Sequence, residues 1–368
     1  MDKLPKKSAL IIGVNSQDGY YLCRHLLKEG YFVFGTVRNE KSSAPALELL
    51  EREKFQVLHL DLQSSDSVHS CLMHVLEKGR NGPLEVYCLA AVSQVSKSVS
   101  EPVTSADTNA LGPLRVLDSI LRSGQSSEVR FIFASSSEIF GNPQTSPQDE
   151  DTFFKPVSPY GMAKLFVMQQ VGFQRECMQL FACSAILYNH ESVRRQANFV
   201  TRKISLSASA VSKGILSYME IGNLDAKRDW GHAEDYVRAM WMILQEPSPQ
   251  DYVVGSGILY TVRELVEEAF NAAGIYLSWK GNGLDEVGLD SSTGIVRVKV
   301  NPAFYRPEDR KATELTKVSE PGKVVANNSK LVEIGWTPLH SFHQMIRDMV
   351  QHDLALTESV LRTQLNVK

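Results

Sequence analysis

The sequence predicts an α/β fold, a doubly wound parallel sheet followed by a smaller α+β lobe. Three observations predict it. Short apolar runs alternate with amphipathic segments through the first half of the chain. A glycine-bearing turn joins the first apolar run to the first amphipathic segment. Beyond about residue 190 the alternation gives way to an irregular pattern. Parallel strands need crossover connections, and right-handed crossovers lay helices on both faces of the sheet.

Ser8 to Ile12 is the first strand, ending at Gly13. A helix follows from about Asp18 to Lys28, with Leu22, Leu26 and Leu27 at turn spacing and Gly30 as its stop. Tyr31 to Val37, Phe55 to Leu60, Glu85 to Ala91 and Arg130 to Ala134 read as further strands. Between the last two, Val103 to Leu121 carries Leu111, Leu114, Leu117 and Leu121 at helical intervals. A long helix from Tyr160 to Met178 and a strand from Ala182 to Tyr188 complete a first domain of residues 1–190, to which some later segments return. Residues 191–368 form the lobe. Its expected helices are Phe199 to Ser212, Ala233 to Gln245, Val262 to Ala273 and Phe342 to about Leu354. Residues 280–330 are poor in helical period, and 307–323 read as a polar surface loop.

Composition bounds the partners. The 368 residues hold 39 Lys and Arg against 42 Asp and Glu, a formal charge of -3, which excludes a basic footprint for nucleic acid or anionic membrane. Hydrophobic residues at 43% and charged residues at 22% are ordinary globular usage, which excludes a disordered or fibrous chain. The 5 cysteines are odd in number and none are spaced C-x-x-C, so free buried thiols are expected and no metal site is indicated. No run reaches the roughly 18 apolar residues of a membrane helix, and the basic N-terminus lacks a cleavage site. A cytoplasmic location is expected.

Two motifs carry chemistry. The first is Gly13-Val14-Asn15-Ser16-Gln17-Asp18-Gly19, a strand-to-helix turn of the kind that lets a pyrophosphate approach a helix N-terminus. Its spacing is G-x-x-G-x-x-G with Ser16 at the middle glycine. Gly13, Asn15, Ser16, Gln17 and Asp18 are therefore candidate dinucleotide contacts on a Rossmann-type sheet, with a plain turn as the alternative. After the second strand comes Val37-Arg38-Asn39-Glu40-Lys41. Arg38 suits a ribose 2′-phosphate and favours NADP over NAD. Glu40 opposes it if it points inward, and a solvated loop explains the run equally well. Asp61 ends the third strand, where it can meet an adenine edge or serve only as a turn residue.

The second motif pairs Ser135-Ser136-Ser137-Glu138, after the fifth strand, with Tyr160-Gly161-Met162-Ala163-Lys164 at a helix start. Tyr160 and Lys164, four apart, share one helical face. An ammonium beside a phenol favours phenolate, which makes Tyr160 a candidate base for a sugar hydroxyl, and Ser136 can hydrogen-bond the same oxygen.

This constellation resembles the extended short-chain dehydrogenase/reductase superfamily. The stretches GVNSQDGYYL, ASSSEIFG, SPYGMAK, LYNHESVRRQANFVTRKI and GNLDAKRDWGHAEDYVRAMW resemble, more closely, the GDP-mannose 4,6-dehydratase family. The resemblance runs from about residue 8 to 355 and is poor over 309–325. It implies a nucleotide-sugar dehydratase working by internal hydride transfer through a bound nicotinamide, with a GDP-sugar, GDP-mannose, as substrate. Ser136 stands at a family Thr, Glu138 at the family's C5 base and C6 acid, and Tyr160 and Lys164 at the usual pair. The resemblance places Leu62, Leu89, Ala91, Ser93, His190 and Arg195 on cofactor positions. It places Asn189, Lys203, Arg228 and Arg306 on nucleotide-sugar positions. Without it, His190 reads as a structural histidine and Arg228 as a surface ion-pair partner.

Departures from the family pattern are Ser16 and Ala90 for glycines, Asn39 and Glu40 for an Arg and a Ser, Thr104 for a Tyr, Val193 for a Pro, and Asp309 near a Glu. The helices at 103–121 and 160–178 match the pair that builds a dimer in the superfamily, so a homodimer is expected, with a homotetramer as the larger form. A 4-epimerase or 4-keto reductase on the same fold needs the Tyr and Lys but no carboxylate at C5, and Glu138 favours dehydration over both. A cofactor-binding regulator without turnover is the remaining alternative, against which stand all four side chains.

Overall fold

The computed structural model describes residues 7–39, 54–78, 82–305 and 324–366. The chain forms two compact units. The first is Met1–Tyr188 with Ala233–Gly255 and Ala326–Thr337; the second is Asn189–His232 with Ser256–Val325 and Pro338–Lys368.

The first unit is built on a parallel sheet. Its strands are β1 (Ser8–Ile12), β2 (Phe32–Val37), β3 (Phe55–His59), β4 (Leu84–Cys88), β5 (Val129–Ala134), β6 (Phe181–Leu187) and a short seventh, Tyr252–Val254. Their spatial order is Tyr252–Val254, β6, β5, β4, β1, β2, β3, and every neighbouring pair is parallel. β1 therefore lies between β2 and β4. The chain steps away in one direction through β2 and β3, then returns past β1 to lay down β4. A ligand crevice belongs at that switch point, beyond the carboxyl ends of β1 and β4.

Both faces of the sheet are covered, which is why β1 and β4 are buried at every residue. On one side pack the helices Ser65–Glu77, Gly112–Arg122 and Pro159–Cys177, with Val68, Leu72, Val116, Leu117, Val167 and Val171 against Ile12, Val86 and Phe131. On the other side the helices Gln17–Lys28 and Ala233–Gln245 lie against each other. At the start of the strands a buried polar group joins these layers. Glu85 accepts from Tyr31 at 2.8 Å, Tyr87 at 2.6 Å and Gln245 at 3.1 Å. Burial raises the Glu85 carboxyl from its ordinary range, and three neutral donors partly offset that cost.

The second unit has a three-stranded sheet, Leu259–Thr261, Lys227–His232 and Asn189–Glu191, and a four-stranded one, Leu277–Lys280, Val287–Asp290, Val296–Val300 and Met219–Ile221. The helices Val200–Ser212, Val262–Ala272 and Phe342–Leu354 form its core through Ile204, Leu265, Phe270, Ile346 and Met349. A buried Arg202–Asp353 ion pair, joined by Ser205 at 2.8 Å to the same carboxylate, locks the first and last of these helices together.

Several details differ from the expected elements. Ser65–Glu77 is an added helix, capped by Ser64. The expected helix from Val103 breaks into Pro102–Ala106, a π-helical turn Asp107–Leu111, and Gly112–Arg122. Two strands, Val287–Asp290 and Val296–Val300, fall within the tract poor in helical period. Cys23, Cys71, Cys88 and Cys183 are buried free thiols as expected, but Cys177 is exposed, because it closes a helix on the solvent side. Glu40, Lys41, Arg306, Asp309 and the polar loop 307–323 lie outside the described residues. No helix among the described residues is long and apolar enough to cross a membrane.

Candidate active site

The glycine turn sits at the carboxyl end of β1. Gly13 has φ +97°, and a Cβ there would lie 3.0 Å from the Ala90 Cβ. Gly19 is equally constrained, because its Cβ would fall 2.2 Å from the Gly13 carbonyl oxygen. Only bare backbone fits at these two positions, and bare backbone is what a pyrophosphate approaches. Ser16 resolves its own departure from glycine. Its φ is -75°, so the turn needs no glycine there. Its hydroxyl accepts from the Gly19 N–H at 3.0 Å and donates to the Gly13 carbonyl at 2.8 Å, capping the Gln17–Lys28 helix from within the loop. Gln17 donates to the Asp18 carboxylate at 3.2 Å, and Asn15 is half-buried in the turn.

Beside it, the segment after β4 is tied down at both ends. The amides of Leu89 and Ala90 donate to the Ile12 carbonyl at 3.2 and 2.9 Å. Farther along, Asn109 accepts from the Val92 N–H at 2.8 Å and donates to the Val92 carbonyl at 3.1 Å. Leu89 is buried, Ala91 half-buried and Ser93 exposed. Asn109 comes from the π-helical turn, an irregularity that often marks a functional site. Sequence reasoning missed it, since its role depends on a contact 17 residues away.

The second motif assembles at the carboxyl end of β5. Lys164 is 2% exposed, with Nζ 2.7 Å from the Ala134 carbonyl, 4.6 Å from the Phe133 ring centroid and 5.6 Å from that of Tyr160. Burial lowers its pKa to about 8, against the weaker pulls of Cys88 and Asp18 in the other direction. Burial likewise pushes the Cys88 thiol up to about 12, which keeps it neutral. Two residues beyond Ala134, Ser136 starts a short 3-10 turn, and its Oγ accepts from the Glu138 N–H at 3.3 Å. The Glu138 carbonyl oxygen lies 2.6 Å from where a Gly161 Cβ would stand. Gly161 thus lets the Glu138 backbone press against the helix turn that bears Tyr160. Glu138 and Ser136 are half-buried, Tyr160 is buried, and the Glu138 carboxylate has no partner among the described residues. The phenol and the ammonium share one helix, and the turn that bears the Ser136 hydroxyl and Glu138 packs its backbone against that helix within the first unit.

A family model described as GDP-mannose 4,6 dehydratase matches residues 10–349. The chain belongs to the GDP-mannose 4,6-dehydratase family. A GDP-mannose 4,6 dehydratase of Drosophila melanogaster is 41% identical over 358 residues, covering 95% of this chain and 87% of that protein. Its counterpart in Homo sapiens is 40% identical over 358 residues, covering 96% and 92%. Among solved structures, the Thermus thermophilus UDP-glucose 4-epimerase complex with NAD aligns with a TM-score of 0.74 at 20% identity, over 95% of this chain and 100% of that one. A dTDP-glucose 4,6-dehydratase from Bacillus anthracis in complex with NAD gives 0.71 at 17% identity, over 94% and 96%. These two share the fold with this member of the GDP-mannose 4,6-dehydratase family.

The remaining expected residues of this family member separate by location. Arg38 is exposed just past β2, and no carboxylate among the described residues pairs with it. Asp61 uses its carboxylate on the Gln63 N–H at 3.0 Å, the turn role left open by the sequence. Leu62 is buried against Gly112, and its carbonyl accepts from Arg115 at 2.9 Å. His190, Arg195, Asn189, Lys203 and Arg228 all belong to the second unit. There His190 is buried, and Arg195 pairs with buried Glu191 at 2.9 Å and stacks on Phe199. The Asn189 amide donates to the Asp229 carbonyl at 3.4 Å. Lys203 lies 3.6 Å over the Phe304 ring, and burial lowers its pKa. Arg228 donates to the Lys227 carbonyl at 2.7 Å.

Proposed function

We propose that this chain is a GDP-mannose 4,6-dehydratase, eliminating water across C5 and C6 of a GDP-hexose to give a 4-keto-6-deoxy sugar. The observation that carries the reading is the juxtaposition of Tyr160, Lys164 and Glu138, in a chain about 40% identical to its relatives over nearly its whole length. The first unit binds a nicotinamide dinucleotide on the Gly13–Gly19 turn and the Leu89–Ser93 segment. Family membership assigns nucleotide-sugar roles to Asn189, Lys203, Arg228 and Arg306, and cofactor roles to His190 and Arg195. The bound nicotinamide supplies a hydride acceptor that returns what it takes, so no second redox substrate is consumed.

The side chains supply the proton traffic. Tyr160, as phenolate, accepts the C4 hydroxyl proton, and Ser136 hydrogen-bonds the same oxygen. Lys164 holds the phenolate by its charge. Once C4 is a ketone, the C5 hydrogen is acidic, and Glu138 removes it. The carboxylic acid so formed protonates the departing C6 hydroxyl, and water leaves. C5 then takes up one proton as the C5–C6 double bond is saturated, which balances the one Tyr160 took from the C4 hydroxyl, so both side chains end as they began. Among the described residues no side chain donates to the Glu138 carboxylate, which leaves it open to a substrate.

We assign the cofactor as NADP, on the exposed Arg38 guanidinium after β2. We further propose a homodimer. Met162, Phe166 and Phe173 are exposed along one face of the Pro159–Cys177 helix, and Val99, Val103 and Leu111 are exposed on the helical segments packed beside it. An apolar stripe of that extent is an interaction surface. The unpaired cysteines fit a reducing compartment, and we assign the chain to the cytoplasm.

The deciding experiment is incubation with GDP-mannose and product analysis, for wild type and Glu138→Gln. A 4-keto-6-deoxy product formed without net cofactor turnover is expected, with a loss of roughly 10²- to 10⁴-fold in the variant. Wild-type dehydration rates in Glu138→Gln would remove the agent of elimination from this reading.

A further inference from the structure

The helix that carries Tyr160 begins one residue before it, and the first four N–H groups of any helix lack acceptors inside the helix. Here they can all be traced. Pro159 has no N–H to satisfy. Gly161 donates to the Ser158 Oγ at 3.0 Å, and Met162 to the Ser158 carbonyl at 2.9 Å. That leaves the amide of Tyr160 itself. It donates to the Ser98 Oγ at 3.2 Å, a residue 62 positions earlier in the chain.

Ser98 is 0% exposed, and its own hydroxyl proton goes to the Val95 carbonyl at 2.6 Å. Its direction is therefore fixed, with one bond given and one received. Ser98 belongs to the short helix Val95–Ser100, which starts directly after the segment that Asn109 grips at Val92. Hydrogen bonds at Val92 and at Ser98, joined by the short backbone between them, thus connect the loop after β4 to the backbone of Tyr160.

We infer that Ser98 is a positioning residue for Tyr160, fixing the phenol's backbone in register with the cofactor-side loop. The inference rests on the assignment of Tyr160 as the base for the C4 hydroxyl. Ser98 touches neither substrate nor cofactor in this role. It acts by holding the amide, and an ångström of drift in a reacting group costs about 10²-fold in rate.

Ser98→Ala removes the acceptor and leaves the Tyr160 N–H buried without it. With GDP-mannose, kcat should fall roughly tenfold to hundredfold while KM changes by less than about twofold. With deuterium at C4 of the mannose, the isotope effect on kcat should rise, because the step at C4 becomes slower relative to the others. A variant that merely folds less would lose kcat with the isotope effect unchanged, and that result overturns the inference, as does wild-type kcat. Amide exchange gives a readout independent of turnover. Exchange at Tyr160 should speed up at least tenfold in Ser98→Ala, while amides from the middle of the helix keep wild-type protection. Unchanged exchange at Tyr160 refutes the role of Ser98 even if the wild-type enzyme proves inactive. Inactivity of the wild type itself would count against the proposed dehydration, and the exchange result would still decide on Ser98.

Discussion

Raising the pH should switch off turnover before it loosens the fold. Lys164 is enclosed by the Ala134 carbonyl, the Phe133 ring and the Tyr160 ring, and burial holds its pKa at about 8, below the ordinary 10.5. A phenolate gains from the neighbouring ammonium only while the nitrogen is charged. With a pKa of about 8, roughly half of the molecules keep that charge at pH 8, about a tenth at pH 9 and about a hundredth at pH 10. We expect kcat/KM for GDP-mannose to fall close to tenfold per pH unit above about 8, since that parameter reports the free enzyme. A lysine titrating at its ordinary value would leave the rate nearly flat to about pH 9. Stability from the same group moves the other way. Between about 8 and 10.5 the unfolded chain binds the proton that the folded chain has released, so this lysine's contribution to stability rises with pH. Circular dichroism across the same range therefore separates the two effects. Lys164→Arg stays charged throughout and should show a lower rate without the alkaline fall. A flat wild-type profile to pH 10, or an alkaline fall that persists unchanged in Lys164→Arg, would show that Lys164 does not set the alkaline limit.

Three further outcomes are expected. Ser16→Ala should lose about 1 kcal/mol of stability in urea unfolding through the lost helix cap, and Ser16→Gly only a few tenths, because φ at this position is -75°; a larger loss for glycine would show that the hydroxyl does more than cap. Glu85→Ala should cost about 3 kcal/mol, stranding the buried hydroxyl protons of Tyr31 and Tyr87, while the kcat of the folded fraction stays at wild type, since Glu85 lies at the opposite end of β4 from the glycine turn. Phe173→Glu should shift sedimentation from dimer to monomer, and an unchanged sedimentation coefficient would move the interface away from the Pro159–Cys177 helix.

The parts of the site that the sequence makes legible are those whose chemistry is local. Gly13 and Gly19 are demanded by a turn within 7 residues, and Tyr160 and Lys164 by one helical turn. The parallel sheet is legible for the same reason, because both-face burial leaves short apolar runs at residues 9–12, 86–88 and 131–134, with Glu85 and Arg130 confined to the strand starts. The Ser65–Glu77 helix also carries a readable signal, Val68, Leu72, Val75 and Leu76 after a capping Ser64. The strand Tyr252–Val254 and the second unit's small sheets do not, since strands of three to six residues, the second unit's partly exposed, give too short a period to stand out. Least legible are the small polar residues that hold the site in shape. Ser98 and Asn109 look like ordinary helix-surface residues in the sequence, yet both are almost fully enclosed and bond to backbone in another segment. A buried hydroxyl or amide must find partners, and which partner it finds is fixed by the fold rather than by its neighbours in the chain. The same distinction explains why the departures at Ser16 and Ala90 are compatible with a working turn. Each was defined against a family pattern of glycines, but the backbone decides the requirement. Ser16 has a φ that any residue adopts and a hydroxyl that tightens the loop, while Ala90 packs against Gly13, the position of this turn where φ is positive and no side chain fits.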